Sequence, residues 1–264
     1  MGAKAQSSPV DHDDGRGYIS ARLAGGGHAL ARYDETYRSY TNCYLLARPG
    51  GVYALIDAGK AVHGPELRRA LRRLAVTPGA VGHLLATHGH QDHVGGIVAL
   101  RDGGGGPAGL IHRLDLAALP DTVRSSFAQP LTGSRDRVAP GGGPPLEVFL
   151  LGAHTPGSVA YYDPVTRGLF CGDNLCLFGR RLPEGQLVTS ADRPRRFLLG
   201  LVRHWAAAPG RRLPHLGQLD QLLAALGPLT ELDVAYLCTG HGPVLAGDIP
   251  ALLTEIVAAG LSDR

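Results

Sequence analysis

At 264 residues, with 44% hydrophobic and 19% charged residues, the chain is long enough for one sizeable core or two small domains, and its composition is that of a globular protein. A net charge of +3 is too small to argue for a nucleic-acid partner, and no apolar run approaches membrane-spanning length. The four cysteines (Cys43, Cys171, Cys176 and Cys238) form no CxxC pair and read as buried free thiols of a reducing compartment.

Taken in order, residues 1–16 are polar, lack an apolar h-region and read as a disordered tail, so a cytoplasmic location is expected. From Gly17 to Ala58 the pattern is β, with a Pro49-Gly50-Gly51 turn between two apolar runs, the second ending in Asp57-Ala58-Gly59. A helix is expected over Gly64–Leu74, with Leu67, Leu71 and Leu74 on one face. The buried run Val81–Ala86 then leads into Thr87-His88-Gly89-His90-Gln91-Asp92-His93-Val94-Gly95-Gly96, after which Ile97–Leu100 suggests a helix. Gly103–Gly106 reads as a linker and Leu110-Ile111-His112 as a short strand. The stretch 120–145 is rich in Pro, Gly and Ser and reads as loop. Leu146–Leu151 is a strand before His154-Thr155-Pro156-Gly157-Ser158, and a hairpin over Val159–Phe170 ends in Cys171-Gly172-Asp173. Within 174–230, a helical segment on the substrate side is expected. Its first helix follows Ser190, with Phe197, Leu198, Leu201, Val202 and Trp205 as a single apolar face, and its second spans 216–226. The strand Val234–Cys238 precedes Thr239-Gly240-His241-Gly242-Pro243, and a last helix covers Ile249–Ala259. The whole reads as one domain over 17–264, two packed sheets with helices outside.

Three histidines and an aspartate within six positions, on a strand-to-helix loop, are the chemistry of a metal site, because imidazole and carboxylate ligate zinc, iron and manganese. Alternation sends the rings of His88 and His90 the same way, while Asp92 and His93 begin the next turn and face a second point. Such a cluster suits two cations roughly 3.5–4 Å apart. His154, Asp173 and His241 each follow a later strand and are metal-competent, though a lone His in that position is more often structural.

His-x-His-x-Asp-His after an apolar strand resembles the signature of the metallo-β-lactamase superfamily. Asp57 in Leu-Ile-Asp-Ala-Gly, His154 in His-Thr-Pro-Gly-Ser, Asp173 in Cys-Gly-Asp and His241 in Gly-His-Gly-Pro resemble its remaining motifs, so the likeness spans the chain from about residue 17. It implies an α/β fold, a four-layer αββα sandwich of two mixed sheets with outer helices. It also implies His88, His90 and His154 on one metal, and Asp92, His93 and His241 on a second. Asp173 would bridge the two, and Asp57 would orient a ligand imidazole. Asp92 and His93, with a hydroxide held by the metals, would be the catalytic groups. The cofactors would be two divalent ions, zinc foremost, with iron or manganese as alternatives.

The implied activity is a hydrolase whose hydroxide attacks a carbonyl, with an acyl thioester of glutathione, CoA or a carrier protein as the favoured substrate, since a thiolate leaves without an obvious general acid. The ligand set is similar to that of hydroxyacylglutathione hydrolases, but only the residues from 242 to 264 follow the last ligand, too few for their C-terminal glutathione-binding region. Cys176 stands where acyl-homoserine lactonases place a Tyr, which ranks a lactone hydrolase lower. An iron-dependent persulfide dioxygenase and a metal-bearing scaffold are the other readings. The arginines of 193–212 form a candidate face for an anionic substrate, or else a solvated helix face. The expected partner is a small molecule, with neither nucleic acid nor membrane. His112 is expected to be structural.

Overall fold

The computed structural model describes residues 17–101, 105–128, 130–178, 182, 185–207, 212–213 and 216–261. The expected N-terminal tail, part of the glycine linker and His215 lie outside the described residues. Strands β1 (Tyr18–Arg22), β2 (His28–Asp34), β3 (Ser39–Ala47) and β4 (Tyr53–Ile56) form an antiparallel meander, and β4 continues in parallel to β5 (Val81–Leu85) and β6 (Ala108–Leu110). Helix α1 (Gly64–Arg73) crosses from β4 to β5, and the short α2 (Gln91–Val94) follows β5 and passes into a 3-10 turn over Gly95–Leu100. Helices α3 (Arg113–Leu116) and α4 (Asp121–Arg124) lead to the second sheet. That sheet comprises β7 (Arg135–Val138), β8 (Leu146–Leu150), β9 (Val159–Asp163), β10 (Gly168–Gly172), β11 (Val188–Ser190), and the later β14 (Tyr236–Thr239) and β15 (Val244–Ala246), in the order β11-β15-β14-β10-β9-β8-β7. Between β11 and β14 lie α5 (Asp192–Ala206), the two-stranded β12 (Arg212–Leu213) and β13 (Leu216–Gln218), and α6 (Leu219–Leu226); α7 (Ile249–Leu261) ends the described chain.

The strands read as continuous apolar runs because the sheets are buried on both faces. Alternate residues then serve two cores. Leu45, Leu55 and Leu84, aligned across β3, β4 and β5, pack with Leu67 and Leu71 of α1. Their neighbours Tyr44, Ile56 and Leu85, also in register, face Tyr161, Phe170 and Cys238 of the second sheet. On the far side of that sheet, Leu169 and Leu237 pack with Leu198, Leu222 and Ile256 of α5, α6 and α7. The layers are therefore helix, sheet, sheet and helix, as expected.

Several local expectations are corrected. Residues 120–145 hold α4 and β7, whose polar sequences gave no apolar period. The helix expected from 216 begins at Leu219, because 216–218 pair with β12 as a strand. The helix expected over Ile97–Leu100 is the 3-10 turn. No described helix is long and apolar enough to cross a membrane.

Candidate metal centre

Five strands end at one edge of the sandwich and each delivers polar side chains there. After β4, Asp57 adopts a left-handed φ of 56°, a conformation that Asp tolerates better than most residues. Its carboxylate accepts the backbone N–H of Thr87 (2.8 Å) and the Thr87 hydroxyl (2.8 Å), and faces Nδ1 of His93 at 2.9 Å. A carboxylate partner fixes the proton on that Nδ1 and points Nε2 into the site. Thr87 Oγ1 lies 3.1 Å from Nδ1 of His88, which likewise leaves His88 Nε2 facing inward.

The loop after β5 thus presents His88 and His90, and the turn of α2 presents Asp92 and His93. His154 arrives after β8, Asp173 after β10 and His241 after β14. Nε2 of His88 and Nε2 of His154 lie 3.1 and 3.0 Å from Nδ1 of His90. On the other side, Asp92 Oδ2 lies 3.5 Å from His241 Nε2 and 3.8 Å from His93 Nε2. Asp173 stands between the two sets. Its Oδ2 is 3.6 Å from His154 and 3.3 Å from His241, and its Oδ1 is 3.3 Å from His93. All seven side chains expected as ligands are therefore brought together, and Asp57 with them.

The arrangement could hold a cation. His93 Nε2, His241 Nε2 and Asp173 Oδ1 are buried and make no aligned hydrogen bond, although such atoms rarely go unsatisfied. Within each of three groups (His88, His90, His154; His88, His93, Asp173; Asp92, His93, His241) the donor atoms lie within 4.8 Å of one another. The electrostatics agree. Burial would raise Asp92, but the neighbouring imidazoles of His241 and His93 bring its carboxyl down to about 2. Burial would lower His241, but the Asp173 carboxylate outweighs it and lifts the imidazole to about 9. Burial is likewise overridden at His93 by Asp173 and Asp57, which hold it well above the ordinary histidine range. His88, by contrast, is driven well down by burial and by His93. The imidazoles of His93 and His241 thus sit among the carboxylates of Asp57, Asp92 and Asp173, where divalent cations would displace their protons.

Three supporting residues carried no signal of their own in the sequence. Asp115, buried in α3, accepts Gly89 N–H (2.9 Å), the Thr155 hydroxyl (2.6 Å) and Gly157 N–H (2.7 Å), tying the His90 loop to the His154 loop. Asn174 accepts His154 N–H (3.2 Å) and the Ser158 hydroxyl (2.9 Å); its place beside Asp173 was the one available hint. Asn42, on β3, donates through Nδ2 to the carbonyls of Thr239 and Gly242, both 2.9 Å, and so clamps the His241 loop to the first sheet. His112 caps α3, its Nδ1 accepting Leu114 N–H at 3.4 Å.

A cleft of about 1080 Å³ opens on the cluster. His90, Asp92, His154 and Asp173 line its floor, whereas the fully buried His93 is absent from the lining. Of the two residues expected to be catalytic, Asp92 alone reaches the cleft. The phenyl ring of Phe178 stacks on His241, centroids 4.2 Å apart, and Tyr37 approaches the same imidazole edge-on at 6.0 Å.

A double sandwich with seven metal-competent side chains at one edge defines a class of metalloprotein, and the chain belongs to the metallo-beta-lactamase superfamily, whose sequence model matches residues 36–241. Among curated relatives, a hydroxyacylglutathione hydrolase of Methylococcus capsulatus is 36% identical over 161 residues, which are 58% of this chain and 56% of the relative. Another, of Thermosynechococcus vestitus, is 32% identical over 180 residues, 68% of this chain and 58% of the relative. The chain therefore spans little more than half the length of these relatives. Among solved structures, a flavo di-iron protein of Thermotoga maritima superposes with a TM-score of 0.71 at 19% identity, covering 92% of this chain and 62% of that one. The DIM-1 metallo-beta-lactamase superposes with a TM-score of 0.64 at 16% identity, covering 94% and 99%. At such identities the structural likeness speaks for the fold alone.

Proposed function

We propose that the protein is a dinuclear metal-dependent hydrolase acting on acyl thioesters. The observation that carries this reading is the convergence of seven donors, with Asp173 between two histidine sets and three buried donor atoms left without aligned hydrogen bonds. The hydroxyacylglutathione hydrolase relatives support a thioester substrate.

His88, His90 and His154 would hold one ion, Asp92, His93 and His241 the other, and Asp173 would face both. Bound there, divalent ions supply a Lewis acid for the carbonyl oxygen and a water acidified toward neutral pH. The remaining work belongs to the chain. Asp57 and Thr87 set the ring orientation of His93 and His88, so that their Nε2 atoms point inward without rearrangement. Asp115 holds the His90 and His154 loops at a fixed separation. Asp92, ionised throughout the neutral range, lines the cleft and serves there as a charge partner rather than as an acid. The Cys171 thiol, buried and pushed up to about 12 by that burial, is no nucleophile. In the net reaction a water oxygen bonds to the acyl carbon, the C–S bond breaks, and the thiol leaves with a proton as the carboxylic acid forms.

The test is hydrolysis of S-acyl thioesters, followed by thiol release, before and after removal of metal with a chelator. Release that stops on chelation and returns with zinc or manganese supports the reading. Failure to release thiol from any thioester, in protein carrying its metal, overturns it.

A further inference from the structure

Helix α5 carries two apolar rows where the sequence suggested one face. Leu198, Val202 and Ala206 are buried against the second sheet. Phe197, Leu201 and Trp205, one position earlier at each turn, line the cleft over the metal cluster. The rows each repeat every four residues, so each tracks along the helix as a stripe. The second stripe continues in the lining through Val62, Val98 and Val123.

This apolar surface is concentrated. Among the described residues seven large hydrophobic side chains are exposed, and four of them (Tyr37, Val62, Phe178 and Phe197) line this one cleft. Scattered exposed apolar groups need no explanation, but a contiguous patch leading to a reactive centre marks a ligand surface. The charges point the same way. Among the described residues of the lining, Lys60 is the one lysine or arginine, and its ammonium is bound to Asp34 at 2.5 Å and lies over the Tyr37 ring at 4.3 Å. Arg195, from the stretch expected to receive an anionic carrier, turns instead to Glu255 on α7.

Resting on the thioester reading above, we infer that the acyl group is a long unbranched hydrocarbon chain lying along Phe197, Leu201 and Trp205. Eight residues of helix separate Phe197 from Trp205, about 12 Å at a rise of about 1.5 Å per residue, the reach of roughly eight to ten extended carbons. The carbonyl end lies over Asp92 and Asp173, and the hydrocarbon runs along the stripe.

Trp205 is the sole tryptophan of the chain, so its fluorescence reports on the stripe directly. The probes are alkyl thioethers of N-acetylcysteamine with two to twelve carbons, which no hydrolase can turn over. Their binding should tighten by about two- to fourfold per methylene up to about ten carbons, and kcat/KM for the matching thioesters should rise in parallel. Phe197→Gln and Leu201→Gln, verified as folded by circular dichroism, should flatten that slope. A flat thioether series in the unaltered protein, with short acyl thioesters still hydrolysed, overturns this inference and leaves the hydrolase reading standing. Absence of hydrolysis at every length overturns the hydrolase reading, while the thioether titration still decides whether the stripe binds a chain. A flat series together with a concentration-dependent dimer in sedimentation would assign the stripe to a second copy instead.

Discussion

Gly240 shows how tightly single residues constrain the cluster. A Cβ there would lie 2.1 Å from Asp173 Oδ1 and 2.9 Å from His93 Cε1, in the space where the donor atoms converge. Gly240→Ala should therefore lower metal affinity by about 10–100-fold, measured by competition with a chromogenic chelator. Protonation gives a second test at this scale. His241, raised to about 9 from an ordinary value near 6.5, contributes stability that is complete below about pH 6.5 and lost as pH climbs through about 9; His93, also raised, acts in the same sense. Chelated protein should thus lose on the order of 5 °C in Tm between about pH 6.5 and 9. Metal-loaded protein should show the opposite trend in affinity, since protons compete with the cations. The residues that converge on the cluster were legible in the sequence because each follows an apolar strand within a motif, as His88, Asp173 and His241 show. Asp115 and Asn42 were not, because their roles are hydrogen bonds to loops far away in the chain, and an isolated polar residue announces no partner.

At the scale of elements, α5 divides its work between the core and the cleft. Leu198→Ala removes a buried side chain packed on the second sheet and should cost about 2–4 kcal/mol in urea unfolding. Leu201→Ala, on the half-buried cleft stripe, should cost less than about 1 kcal/mol. Equal losses at both positions would contradict the two-stripe arrangement. Apolar periodicity revealed that α5 is a helix but merged its stripes, because Phe197 and Leu198 are adjacent and equally apolar; only the neighbouring elements decide which is covered. The same limit explains α4 and β7. Their residues, Asp121–Arg124 and Arg135–Val138, are largely polar and sit among prolines and glycines, so the pairing of β7 with β8 and the contact of α4 with the Gly95–Leu100 turn are tertiary facts.

Over the whole molecule, the two sheets meet at the metal edge through backbone hydrogen bonds from Val159 to Thr87 (2.8 Å) and from Asn42 to Gly240 (2.9 Å). The site is therefore built across the two sheets, and each group of candidate donors draws side chains from both. The order of the layers was legible in the sequence, since strands buried on both faces read as unbroken apolar runs. The cleft was not, because it arises where α5, the Ala61–His63 turn and α4 come together. The most direct measurement is elemental analysis of the purified protein, counted as metal per chain. About two divalent ions per chain, falling on His90→Ala or Asp173→Ala without loss of the folded state, is the expected result. A single iron, or a chain that takes up no metal when offered zinc, manganese or iron, would contradict a dinuclear hydrolytic centre.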